Sequence, residues 1–413
     1  MTGHPFRPLR RRAVRLVWAA GVISDIGTWV QLVVVGSLIA HDTGSALLTG
    51  LTALATFMPQ GLAAPIGGLL ADRYDRARVF IGGLIGQALF TGVLAALIAH
   101  GQRQPLVLIG AILCSSMCGS MGAPGYSAML PDMVPPDELI AMVSLGIYSW
   151  NSGRIVGPLI GTLLNAAFGP AWTVAANAAT FAALALAVGA LRRPFRPPGT
   201  EATGVRERLT EGLTAARQVP GCRLAVAMIV TLNLCVGPFM GLLPIYSHSV
   251  FHRGVGLSGL FASVQGIGAI VGSLTFTAIS ASMGVSRPLR VVGLLLVFGY
   301  GLFALAPVPV VACVAVVCLG AGVSSLFVSG MGLLQRDAPT ATRARVLSLA
   351  QAAMGFSYGI GILWIGALGD GVGLRWAFGA AATVTACLGW LLTQRFPNWR
   401  ATIDGTTATI AAG

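Results

Sequence analysis

The sequence predicts an all-α membrane protein, with twelve transmembrane helices in two six-helix, pseudo-symmetric bundles. Three observations carry this expectation. Hydrophobic residues make up 55% of the 413 residues and charged residues 9%, with a mean hydropathy of +0.81, so the apolar side chains need lipid as solvent. About twelve apolar runs, each near the roughly 20 residues a helix needs to cross the hydrocarbon layer, alternate with short polar joints. The second half also repeats the plan of the first. Unpaired backbone groups are costly in lipid, so the spans are helices or a closed barrel, and runs this long without period-two alternation exclude the barrel.

The first span, roughly residues 13 to 40, carries Asp25 near its middle, with Ser24, Thr28 and Gln31 nearby. Span two runs from about Ala46 to Ala71 through Pro59 and Pro65. Next comes an abrupt charged stretch, Gly67 to Arg78, in which Asp72 and Asp75 alternate with Arg73, Arg76 and Arg78. Span three covers roughly Val79 to Ala99, and His100, Arg103 and Pro105 form the following loop. Span four, about residues 106 to 130, ends in Leu130-Pro131-Asp132-Met133-Val134-Pro135-Pro136-Asp137-Glu138. There the prolines stop one helix and the acids favour the start of the next. Span five holds Trp150, Asn151, Gly153, Arg154, Gly157, Pro158 and Gly161. Small residues at every fourth position let neighbouring helices approach closely, and Pro158 removes a backbone donor and invites a bend. Span six, around residues 171 to 191, includes Asn177.

Residues 1–191 therefore read as an N-terminal six-helix bundle. Residues 192–220 read as a cytoplasmic linker: a proline-rich exit with Arg192, Arg193 and Arg196, then an amphipathic segment from Val205 to Val219. Its Arg206, Arg208 and Arg217 suit anionic headgroups, with Leu209 and Leu213 turned inward. Residues 221–413 form the second bundle and a tail, with spans near 223 to 247, 257 to 283, 288 to 306, 308 to 335, 343 to 369 and 373 to 393. The repeat is visible residue by residue. Gly153 and Gly157 match Gly355 and Gly359, and Leu130 to Pro135 resembles Leu334-Gln335-Arg336-Asp337-Ala338-Pro339. The loop matching the charged stretch, Ser280 to Arg287, has lost the acid.

A net charge of +13 would suggest nucleic acid in a soluble protein. All 26 basic residues are arginine, and with a cytoplasmic amino terminus twenty-two fall on the cytoplasmic side against three, Arg103, Arg253 and Arg375, on the other, with Arg154 left inside a span. This asymmetry places both termini in the cytoplasm of a multi-pass protein of the cell's inner (plasma) membrane, and makes the basic charge a matter of topology rather than nucleic-acid binding. The basic amino terminus runs into a span too long for a signal peptide and is expected to stay as the first helix. Seven cysteines, in or beside apolar runs, offer neither a disulfide framework nor a metal-ligand spacing. Cys114 and Cys118 share a helical face and read as packing residues.

Asp25 and Arg154 are the two charges well inside spans. Burying such a group costs about 3 kcal/mol or more unless it is paired or wet. Two readings follow: Asp25 takes up and releases a proton during a cycle with Arg154 as its counter-charge, or the two form a static pair that stabilises packing. Gln31, Gln60, Asn151, Asn177, Asn233, Gln265 and Gln351 supply polar edges for an apolar cavity, with Trp150, Phe239, Phe356, Tyr358 and Trp364 as stacking surfaces; the alternative for each is helix packing. His41, His100, His248 and His252 lack metal spacing and read as loop histidines. No phosphate-binding loop suggests an ATP motor, no nucleophile, base and orienting acid converge on an enzyme motif, and no cofactor or metal is expected.

From about Arg15 to Arg395 the chain resembles the major facilitator superfamily. Gly68, Asp72, Arg73, Arg76 and Arg78 match that family's signature between spans two and three, with Asp75 standing where many members have glycine. Ser24-Asp25-Ile26-Gly27, Ala71 to Arg76, Gly153 to Pro158 and Gly366-Ala367-Leu368-Gly369-Asp370 are similar to the branch of enterobactin-type siderophore exporters and macrolide efflux proteins. The resemblance implies that Asp72 interacts with the cytoplasmic start of span eleven and a nearby arginine, latching an outward-facing state. Arg76, Arg343 and Arg345 are the arginines suited to it, while topology alone is the alternative for Arg73, Arg76 and Arg78. The Gly153, Gly157, Pro158, Gly161 run looks like the exporter signature of span five, serving packing or the prevention of leakage. The first and fourth spans of each half usually line the cavity in this superfamily, which raises Gln31 and Asn233 among the cavity candidates Gln31, Asn151, Asn233 and Gln265. The expected function is secondary active export of a small amphiphilic, drug-like or siderophore-like molecule by alternating access and proton antiport. The partners are then substrate, protons and the lipid bilayer, and the protein acts as a monomer. An importer or uniporter of the same fold, a lipid flippase, and a nontransporting scaffold or sensor are the competing expectations.

Overall fold

The computed structural model describes residues 6–191, 195, 213–214, 216–339 and 343–404. The linker residues Arg192, Arg193, Arg196, Arg206, Arg208 and Leu209 lie outside the described residues.

After a 3-10 turn at Arg7–Arg10 the chain forms α1 (Arg12–Thr43), α2 (Ala46–Phe57), α3 (Pro59–Arg73), α4 (Arg76–Ala99), α5 (Pro105–Met133) and α6 (Leu139–Gly189). In the second half come α7 (Pro220–Thr231), a π-helical segment (Leu232–Val236), α8 (Phe239–Phe251), α9 (Val255–Met283), α10 (Ser286–Leu305), α11 (Pro309–Asp337), α12 (Arg343–Val372), α13 (Leu374–Arg395) and the short α14 (Trp399–Asp404). Among the described residues, 11 helices are long and apolar enough to cross a membrane. One of them, Pro136–Gly189, is interrupted at Gly169, whose φ of 77° and ψ of 172° are not helical. Glycine tolerates that positive φ, and Pro170, lacking an N–H, starts the next helical arm. The two arms carry the fifth and sixth predicted spans, so the count fits twelve. The second predicted span is likewise divided, at Met58, where Pro59 opens α3.

The chain forms two compact units, each exchanging a short segment of sequence with the other: the first comprises Met1–Gly44, Leu51–Ala202 and His252–Ser263, the second Ser45–Gly50, Thr203–Phe251 and Val264–Gly413. In the first unit, α6 lies on α1 through its glycines. A Cβ at Gly153 would stand 2.8 Å from the Asp25 carbonyl carbon, one at Gly157 2.7 Å from Trp29 Cβ, and one at Gly161 3.2 Å from Val30 Cα. Overpacking of this kind costs about 1–3 kcal/mol. A second face of the same run meets the start of α9: Ser263 Oγ donates to the Ile155 carbonyl (2.7 Å), and a Cβ at Gly259 would stand 2.8 Å from the Pro158 carbonyl oxygen. Val17, Phe80, Leu84, Met129, Phe181, Val188 and Phe195 fill the core between α1, α4, α5 and α6.

The second unit is organised around aromatic rings. Tyr246 stacks on Phe303 with centroids 4.0 Å apart, and Phe378 meets Tyr246 at 5.5 Å and Phe303 at 5.0 Å in edge-to-face contact. Tyr246 Oη donates to the Phe303 carbonyl, so the buried hydroxyl is satisfied. Large apolar side chains such as Leu89, Leu163, Leu294 and Trp376 remain exposed, as expected where lipid is the solvent.

Candidate functional site

The charged stretch spans the end of α3 and the start of α4 and builds a corner between them. The first N–H groups of a helix lack intrahelical partners, and Asp75 caps α4 by accepting from the Arg78 N–H (3.0 Å). Its second oxygen accepts from the Phe195 N–H (2.7 Å), and the Phe195 carbonyl accepts from the Arg76 N–H (3.1 Å). Phe195 is thereby pinned to the corner, with its ring buried. Arg76 donates to the Ala128 carbonyl (3.0 Å) and pairs with Asp132 (3.2 Å) at the end of α5. Arg73 and Arg78 are exposed and Asp72 is half-buried. Gly68 has open space where a Cβ would lie, whereas a Cβ at Gly67 would collide with the Met121 carbonyl. The close approach of α3 to α5 therefore rests on Gly67. Arg343 donates to the Ala338 carbonyl at 3.4 Å; the side chain of Arg345 lies outside the described residues.

Glu138, expected to favour the start of the next helix, makes no side-chain cap on α6. It is buried and pairs instead with Arg7 (3.1 Å) and Arg11 (3.3 Å), because two guanidinium groups compensate a buried carboxylate better than one backbone amide.

Inside the first unit, Asp25 on α1 accepts a hydrogen bond from Ser149 on α6. Ser149 is buried, four residues before Gly153 on the face turned to α1, and that spacing is the signal that could have identified it. One turn beyond Asp25, Trp29 meets Trp150 edge-on at 5.4 Å and Phe57 at 5.9 Å, and the Arg154 guanidinium carbon lies 6.0 Å from its ring centroid. An acid, a hydroxyl, an indole and a guanidinium thus share one stretch of the α1–α6 interface. The arrangement can hold a proton on a carboxyl group and orient it by a hydroxyl. Gln31 is buried and accepts from Asn177 Nδ2 (2.8 Å), whose side-chain oxygen accepts from Thr180 (3.1 Å). Asn151 donates to the Ile147 carbonyl (2.9 Å) in its own helix.

In the second unit, Asn233 lies in the π-helical segment and donates to the Ile229 carbonyl (2.8 Å). The segment is closed by the Gly237 N–H on the Leu232 carbonyl (2.9 Å), and Pro238 removes the N–H that the Leu234 carbonyl would otherwise accept. The freed carbonyls are met from neighbouring helices. Trp364 Nε1 donates to Leu234 (3.0 Å), and the Tyr300 hydroxyl is shared between Cys235 (2.8 Å) and Val236 (3.0 Å). Gly361 admits this approach, since a Cβ there would stand 2.5 Å from the Leu234 carbonyl oxygen. Gln265 is fully buried on α9, with its backbone carbonyl against Gly320 of α11.

The α9–α10 corner, which lacks the acid in sequence, is capped from elsewhere. Asp404 on α14 accepts from the N–H groups of Val285 (2.8 Å) and Ser286 (2.9 Å). Arg336, at the end of α11, holds α14 through the carbonyls of Thr402 and Ile403 (2.7 Å for the latter) and pairs with Asp337 (2.6 Å).

The chain matches a family model described as transmembrane secretion effector over residues 3–408. It is 25% identical over 394 residues to macrolide efflux protein A of Streptococcus pyogenes, covering 90% of this chain and 93% of the relative. It is 29% identical over 370 residues to the enterobactin exporter EntS of Shigella boydii serotype 4, covering 86% of this chain and 85% of that protein. Among solved structures, the nucleoside transporter NupG superposes with a TM-score of 0.73 at 12% identity, covering 94% of this chain and 99% of the other. A bacterial homolog of the human lysosomal transporter Spinster does so with a TM-score of 0.72 at 14% identity, covering 95% and 99%. At these identities the structures share the fold.

Proposed function

The chain belongs to the transmembrane secretion effector family of the major facilitator superfamily, and from that premise we propose that it is a secondary active exporter of small amphiphilic molecules driven by proton antiport. Export is supported by relatives named for macrolide efflux and enterobactin export. The observation that carries the coupling mechanism is the Asp25–Ser149 contact, a membrane-embedded carboxylate on a hydroxyl one turn from Trp29, whose ring Arg154 faces. A buried acid in a span is costly enough that a functional role is the default.

In this reading, residues 1–191 and 221–413 are two six-helix bundles that rock about a central cavity, joined by the linker 192–220, with both termini cytoplasmic. Asp25 loads a proton when the site opens outward and releases it inward, with Ser149 orienting the carboxyl group. Gln31, Asn151, Asn233 and Gln265 present amide edges to the substrate, and Asp72 alternates between states by engaging the start of α12 near Arg343 and Arg345. The protein works as a monomer on a small-molecule substrate, without nucleic acid or a cofactor, and performs no enzymatic step.

Proteoliposomes loaded with a macrolide or a catecholate siderophore and given an imposed pH gradient test this reading. Gradient-driven flux is expected in the parent protein and is expected to vanish in Asp25→Asn, with substrate binding retained. Flux that persists in Asp25→Asn with unchanged pH dependence overturns the coupling role. Accumulation of substrate in the opposite direction overturns export.

A further inference from the structure

We propose that Asp370 is a latch on the outer end of the second span, which must let go of the start of α2 before the transporter opens outward. Asp370 lies near the end of α12, and its carboxylate accepts from Ser45 Oγ (2.7 Å), from the Ala46 N–H and from the Leu47 N–H (3.2 Å). Ser45 Oγ in turn accepts from the Leu48 N–H (3.1 Å). Three consecutive amides at the start of α2, all orphans of the helical pattern, are thus satisfied by one hydroxyl and one carboxylate, and the carboxylate comes from a helix 324 residues away. The negative charge also meets the positive end of the α2 dipole. By the arginine distribution this junction lies on the outer face.

Beneath the carboxylate the two helices touch through glycines. A Cβ at Gly366 would stand 2.9 Å from Leu47 Cα, and one at Gly369 3.1 Å from Ala46 Cβ; a Cβ at Gly50 would meet Ile362 at 2.8 Å. Ser45 and the first five residues of α2, Ala46–Gly50, therefore group with the second unit, while Leu51–Ala202 groups with the first. Yet α2 continues unbroken to Phe57. If Leu51–Phe57 moves with the first unit and α2 stays straight, it must pull Ser45–Gly50 away from α12, and that movement works against the Asp370 contact. Glycines let the two helices lie close together, and the carboxylate adds a charged attachment at their outer end. An exposed contact of this kind is strong enough to bias an equilibrium and weak enough to break in every cycle.

The inference does not rest on the exporter reading, and its test needs no substrate. A single cysteine reporter at Ala53, fully buried just past the junction, is placed in the full chain with its native cysteines replaced, and labelled with a hydrophilic maleimide in nanodiscs. A control reporter sits at Ala350, buried toward the other end of α12. Asp370→Asn and Asp370→Ala are expected to raise the labelling rate at Ala53 about two- to thirty-fold, the population shift equivalent to losing a helix cap. Ala350 stays protected, and Asp370→Glu restores slow labelling at Ala53. Ser45→Ala, which keeps the acid, gives a smaller rise and serves if the Asp370 variants do not accumulate. Unchanged labelling at Ala53 in every variant overturns the latch, as does an equal rise at Ala53 and Ala350, which would mark general loosening of the fold.

Discussion

At the α3–α4 corner the capping carboxylate belongs to the loop itself: Asp75 accepts from Arg78 in its own helix and from Phe195 in the exit of the bundle. At the α9–α10 corner the loop has no acid, and Asp404 arrives from the tail, more than a hundred residues downstream, to accept from Val285 and Ser286. The charges behind the two caps are also exchanged. Where the repeat places Asp132, an acid that receives Arg76, it places Arg336 in the second half, a base that grips the carbonyls of α14. What the halves share is the demand of a helix start for acceptors, rather than the residue that meets it. One half answers locally, and the other makes its C-terminal helix part of the fold.

The largest effect is expected from Arg336→Ala. It removes charge-assisted bonds to Thr402 and Ile403 and leaves Asp337 facing Gly221, at a cost of about 2 kcal/mol. Hydrogen exchange followed by mass spectrometry should then show α14 unprotected and the Ser286 amide exchanging faster, with α4 unaffected; protection of α14 that survives would break the comparison. Asp75→Ala should cost about 1–1.5 kcal/mol, since two donors lose one acceptor. It should loosen Phe195 and the start of α4 while the α9–α10 corner keeps its protection. The smallest effect, about 0.5–1 kcal/mol at an exposed cap, belongs to Asp404→Ala, and Val285→Asp in that background should return it by supplying the cap from the loop. If Val285→Asp leaves exchange at the start of α10 as fast as in Asp404→Ala alone, the tail does more than deliver an acceptor.

The Asp404 cap also carries a pH signature. Slight burial works against its ionisation, but the Ser286 hydroxyl, the Ser286 and Val285 N–H groups and Arg287 outweigh it and hold the carboxyl below its ordinary 3.8. A depressed carboxyl contributes stability that is complete above that ordinary value and fades as pH falls through the folded one. Protection of the α10 start should therefore persist at mildly acidic pH and decline only below it.

The membrane class was legible because lipid imposes long apolar runs, and the α1–α6 interface was legible because Gly153, Gly157 and Gly161 recur every fourth residue and land on one face. The lost acid at Ser280 to Arg287 was readable too. Its replacement was not, because nothing local to Asp404 says which helix it will face. Gly67 and Gly68 are indistinguishable as letters, and only the position of α5 shows that Gly67 bears the close approach. Ser149 was marked only by its spacing from Gly153, and Asp370 stood in a motif that gave it no partner, because a hydrogen bond between distant helices does not show in the sequence which helix will be faced. The π-helical segment had a partial signal in Gly237-Pro238, which announces an interruption without saying that one extra residue precedes it.

That extra residue acts as an angular setting. A closure from residue i to i+5 holds one residue more than an α-turn, and a residue advances an α-helix by about 100° and 1.5 Å. Shortening Leu232–Val236 by one position would therefore turn every side chain of α8 about a quarter of a revolution, carrying Tyr246 off Phe303 and Phe378. In this molecule the azimuth of an entire half-helix is encoded by a single inserted residue, with Tyr300 and Trp364 as the set-screws that keep it from winding back.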